Sequence, residues 1–131
     1  MDFSTVSDSE LSAVQHALLA TRFGRQDRDE DAWATARVVE MHIEVVEELR
    51  RRVSASGDTG RTADFERWLD WSGHEPEQAS MARWLAGDPV WLSLPPEDRP
   101  AYLKRLIRPF LADDVTLRHF AHRVTLSVER S

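Results

Sequence analysis

Three groups of residues in this 131-residue chain have the types and spacing to do chemistry. The first is His42, set in the middle of an apolar helical arc. An imidazole in such a place must hydrogen-bond or ligate, because an unpaired polar group in a core is costly. It could act as a metal ligand or a general base. A metal would need two or three further ligands converging on the same face. One turn away stand Val38, Val39, Val45 and Val46, none of which can ligate. Partners would have to come from another helix, with His16 the conceivable one. The favoured reading is a satisfied core histidine. Its alternative is a helical small-molecule or metal-dependent enzyme built around His42.

The second group is Glu40, Glu44 and Glu47, at i, i+4 and i+7. Carboxylates on facing helices hold di-metal centres in bundles, but those bundles also supply Glu-x-x-His pairs. No acid stands three residues before His16, His42 or His122, and the residue before His119 at that spacing is Thr116. The stripe lies opposite the apolar arc. It reads as a solvated face, or as a docking surface for a basic partner, with Glu47–Arg51 and Glu48–Arg52 as supporting pairs.

The third group is His119-x-x-His122, flanked by Arg118 and Arg123. Two histidines at i, i+3 can share a zinc ion, but a third ligand is missing nearby and the arginines repel a cation. An anion-binding or acid-binding patch fits better. No metal site and no cofactor is expected anywhere. The loops that cradle phosphates and the nucleophile-elbow pentapeptide are absent. Gly24, Gly73 and Gly87 each follow a predicted helix, and the other two glycines sit in a Ser-Gly loop. The reading is therefore weighted against an enzyme.

Five tryptophans remain to be explained. Trp68 and Trp84 fall on apolar faces beside leucines and are expected in the core. Trp33, Trp71 and Trp91 stand at helix ends, links or charged faces. They are candidate anchors for a protein partner, because tryptophan buries much area for few rotatable bonds. Asp29, Glu30 and Asp31 join them as candidate contacts on the acidic side.

The elements that must position these residues are helices. Val38, Val39, Met41, His42, Ile43, Val45, Val46, Leu49 and Val53 cover roughly 220° of a helical wheel, twice the stripe of an ordinary surface helix. The segment 29–54 is thus expected as a central helix with neighbours on two or three sides. Before it, Ser7-x-x-Glu10 has the form of a capping box opening a helix with Leu11, Val14, Leu18 and Leu19 on its apolar face. After it, 54–60 reads as a mobile loop. All six prolines lie at or beyond Pro76, so the second half is a set of short, punctuated helices. A helix starting at Thr62 or Asp64 holds Trp68 and Leu69. Pro76 opens another through Leu85, 90–94 is an apolar link, Asp98 caps a helix that Pro109 ends, and Asp113 or Asp114 caps the last. Residues 115–129 read as helix, with a short strand as the alternative.

Net charge is −6, which argues against nucleic-acid binding driven by phosphate neutralisation. The charge is uneven: −8 over residues 1–94 and +2 over 95–131. Cysteine is absent, which removes disulfides and thiol chemistry. No secretion signal or membrane span is visible, so a cytoplasmic protein is expected. Sixteen of the seventeen basic residues are arginine, as in a GC-rich source. The expected whole is one all-α domain, residues 1–131, of five to six helices around 29–54. Its expected function is non-catalytic protein binding: a small acidic adaptor, inhibitor or complex subunit. One version inhibits a nucleic-acid-binding protein through the acidic surface. A further alternative is a DNA-contacting regulator using the C-terminal helices.

Overall fold

The computed structural model describes residues 2–24 and 36–130. It is 80% helical, with no strand among the described residues, so the class is all-α. Among the described residues there are seven α-helices, and they group into two compact units, Met1–Leu69 and Asp70–Ser131.

The first unit contains α1 (Asp8–Leu19), a π-helical turn (Ala20–Gly24), α2 (Ala36–Ala55) and α3 (Thr59–Leu69). The capping box is formed in full. The Ser7 hydroxyl accepts from the Glu10 N–H and the Glu10 carboxylate accepts from the Ser7 N–H, both at 3.2 Å. The buried face of α1 differs from expectation. Leu11 and Gln15 are buried, whereas Val14 is 42% exposed. Leu11, Gln15, Leu18 and Arg22 follow one another at steps of four, three and four, which is a single helical stripe. Two polar residues share it, and both are buried.

α2 packs against α1 on one side and α3 on another, as the width of its apolar arc demands. His42, Val45, Val46, Leu49 and Val53 are buried, and Val38, Val39, Met41 and Ile43 are half-buried. Leu11, Val45 and Leu49 form a core cluster onto which Phe3, Val6, Leu18 and Phe65 pack. The expected first turns of the helix, with Asp29, Glu30, Asp31 and Trp33, lie outside the described residues.

The expected loop 54–60 is shorter than its composition suggests. α2 runs to Ala55 and α3 starts at Thr59. Gly57 makes the reversal at φ +75°, where a side chain would be strained. The Asp58 carboxylate then accepts from the Arg61 N–H at 3.0 Å and starts α3 three to five residues earlier than expected. Arg52 fastens the N-terminal segment to α2. Its guanidinium donates to the carbonyls of Phe3 and Val6 and to the carboxylates of Asp8 and Glu48, at 2.7–3.0 Å.

The second unit contains α4 (Glu75–Leu85), α5 (Pro89–Ser93), α6 (Arg99–Leu106) and α7 (Asp114–Arg130), with short 3₁₀ turns at Trp71–Gly73 and Pro96–Asp98. Residues 90–94 are neither link nor strand. Asp88 accepts from the Val90 N–H at 3.2 Å and Pro89 occupies the first turn, so the short apolar run becomes α5. The other Asp88 oxygen accepts from the Tyr102 hydroxyl, which ties α5 to α6. Burial, then that bond, pushes the Tyr102 hydroxyl well above its ordinary value. α6 stops before Pro109, as its ring requires. Residues 114–130 are helical throughout, so the strand alternative for 115–129 does not form. Asp113 is the residue at the entry, accepting from the Thr116 N–H at 2.7 Å. α7 packs on both α6 and α4.

Candidate functional site

A groove of about 770 Å³ lies between α4 and α7, within the second unit. Ala79, Ala82, Phe120 and Val124 give it an apolar floor. Ser72, Glu75, Gln78, Thr116, His119, His122 and Arg123 supply its polar groups. Three of the four residues expected as an anion-binding patch are thus brought together: His119, His122 and Arg123. Arg118 is exposed on the same helix but does not line the groove. The divergence follows from helix geometry, since residues one apart point about 100° away from each other.

Arg123 is held in place from two directions. Its Nη2 donates to the Gln78 carboxamide oxygen at 3.2 Å, and its guanidinium sits 5.6 Å from the Phe120 ring centroid. Gln78 is itself fixed, donating from Nε2 to the Trp71 carbonyl at 2.6 Å. Gln78 is buried on α4 while Arg123 is exposed on α7, so the pair sets the guanidinium at the groove wall. The sequence signal for Gln78 is a polar residue three before Met81 and seven before Leu85, on the buried face of its helix.

His42 lies in a different place, at the centre of the first unit. It is fully buried and hydrogen-bonded at both ring nitrogens: Nδ1 to Arg22 Nη1 at 2.9 Å, Nε2 to Gln15 Oε1 at 2.8 Å. The proton positions follow from chemistry. A guanidinium only donates, so Nδ1 accepts; the proton is then on Nε2, and Gln15 must present its oxygen. Burial first, and the Arg22 charge second, lower the His42 value to about 3. Burial lowers Arg22 to about 10, which leaves it charged at neutral pH and His42 neutral. His16, the partner conceivable from the sequence, is elsewhere. It is exposed and bonds the Ser12 carbonyl at 2.9 Å. Among the described residues no three His, Asp or Glu side chains are grouped so as to hold a metal ion.

Glu40, Glu44 and Glu47 are all exposed on α2. The pairing beside them differs from expectation: Arg51 and Arg52 both engage Glu48, at 2.6 and 3.0 Å, and Arg51 does not pair with Glu47. Hydrogen bonds from Arg51, then Arg52, hold the Glu48 carboxyl down at about 2.

The tryptophans invert the expected order. Trp71 and Trp91, the candidate anchors, are both fully buried. Trp71 packs on Phe110 and Phe120, each at 5.7 Å, and Trp91 stacks on Tyr102 with Arg99 over its ring. Neither offers its ring to a partner. Trp68 and Trp84, expected in the core, are half-buried. The reason is local: Trp71 and Trp91 sit in one-turn helices whose backbone turns them inward, a direction that periodicity over a longer helix cannot foretell. No family of known proteins matches this chain, and neither a curated protein nor a solved structure is similar to it.

Proposed function

We propose that this chain is a non-catalytic protein-binding domain, an adaptor, inhibitor or complex subunit of the cytoplasm, and that the α4–α7 groove is its docking site. The observation that carries the reading is the groove itself. It combines an apolar floor with a guanidinium pinned by Gln78 and Phe120 and flanked by two exposed imidazoles. Such a surface suits a partner segment that inserts an apolar side chain and presents a carboxylate to Arg123. Pre-positioning of Arg123 favours binding, because less side-chain freedom is lost on association.

Affinity capture with paired baits tests this. The wild-type chain should retain a specific protein that Ala82→Trp and Arg123→Glu baits do not. Equal retention by all three would overturn the groove as the docking site.

A second reading rests on the exposed Glu40, Glu44 and Glu47, which suit a basic partner such as a nucleic-acid-binding protein. Glu40→Lys, Glu44→Lys and Glu47→Lys together should abolish retention if that reading holds. DNA contact through α7 is the weakest of the readings, given a net charge of −6. His42, neutral and bonded on both sides, is best read as structural rather than as the centre of an enzyme.

A further inference from the structure

The direction of the hydrogen bonds around His42 has an effect outside the core. Gln15 gives its oxygen to His42 Nε2, so its amide nitrogen, with two N–H groups, points the other way. Those N–H groups make no hydrogen bond among the described residues, although Gln15 is only 5% exposed. Gln15 also lines a half-open cavity of about 240 Å³ bordered by α1, α2 and α3, within the first unit. Leu49, Val53, Phe65 and Trp68 form its apolar wall, and Phe65 and Trp68 lie 5.6 Å apart between ring centroids. Two arginines reach it. Arg52 is already committed to Phe3, Val6, Asp8 and Glu48, whereas the Arg61 side chain has no ion pair among the described residues.

The Gln15 N–H groups are thus open donors at the wall of a largely apolar cavity, placed to meet a ligand acceptor. A dry cavity of about 150 Å³ accepts a benzene ring. The volume here leaves room for one ring and a short acidic arm. We propose that this cavity binds a small single-ring carboxylic acid, whose carboxylate accepts from the Gln15 amide and faces Arg61 while the ring packs against Phe65 and Trp68. The polar chain Arg22–His42–Gln15 is then a positioning device: the buried guanidinium fixes the histidine tautomer, and the tautomer fixes which end of Gln15 faces the ligand. This site is separate from the α4–α7 groove and does not depend on it.

The test is titration of the ¹⁵N-labelled full chain with 3-phenylpropanoate and, separately, 3-phenylpropanol. The carboxylate should give saturable shifts of the Gln15 side-chain amide and the Trp68 indole, and bind about tenfold more tightly than the alcohol, the worth of one charge-assisted hydrogen bond. Ser12→Trp fills the cavity without altering the Gln15–His42 pair and should abolish the shifts. Gln15→Met should weaken binding about tenfold; should that variant fail to fold, Ser12→Trp decides alone. No saturable shift at millimolar ligand, or undiminished binding to Ser12→Trp, would overturn the proposal.

Discussion

His42 carries the clearest consequence at the scale of single residues. Its hydrogen bonds to Arg22 and Gln15 are both buried. His42→Leu should lower unfolding free energy by about 2–4 kcal/mol, read from urea denaturation. The pH dependence follows from a folded value near 3 against an unfolded value of 6.5. Between those limits the unfolded chain binds this proton and the folded chain does not. The stability contributed by the neutral histidine is complete above pH 6.5 and is lost as pH falls toward 3. The slope from this site is at most about 1.4 kcal/mol per pH unit. His42→Leu should be flatter than wild type from pH 6.5 down to 4.5; parallel profiles would contradict the assignment. That His42 would be buried and satisfied could be read from its place on the apolar arc. Its partners could not, because Gln15 and Arg22 are polar residues that sequence reasoning assigns to water. Only the 11-15-18-22 spacing hints that they share a stripe with Leu11 and Leu18.

Elements were legible where a cap or a proline marks them, and less so where a chain reversal is compact. The Ser7–Glu10 box and the entries at Pro76 and Asp113 formed where the side chains require. Ser7→Ala should therefore cost about 1 kcal/mol, measured by thermal or urea unfolding. The Ser-Gly segment reads as a loop by composition, yet one left-handed glycine and the Asp58 cap suffice to turn α2 into α3. Gly57→Ala should cost about 1–2 kcal/mol, although no atom lies within 4 Å of the added methyl group, because the penalty is in the backbone. A change of less than a few tenths of a kcal/mol would show that the turn relaxes. The 90–94 run misleads for a related reason. Alternating apolar residues suggest a strand, but a lone strand without a partner has nowhere to place its hydrogen bonds, and Asp88-Pro89 offers a helical start instead.

For the molecule as a whole, the all-α class and the roles of most apolar faces follow from periodicity alone. The candidate site does not. His119, His122 and Arg123 could be named from one helix, but the groove needs α4 beside α7, and Gln78 is marked only by its spacing from Met81 and Leu85. A buried carboxamide walls part of the groove in the second unit and part of the cavity in the first: Gln78 and Gln15. The groove holds the arginine that a partner's acid would meet. Hydrogen–deuterium exchange of the captured complex against the free chain tests this most directly. Slowed exchange in 72–82 and 116–124, with α2 unchanged, is the expected result. Protection confined to the Glu40–Glu47 face of α2, or no protection on α4 and α7, would contradict the proposed docking site.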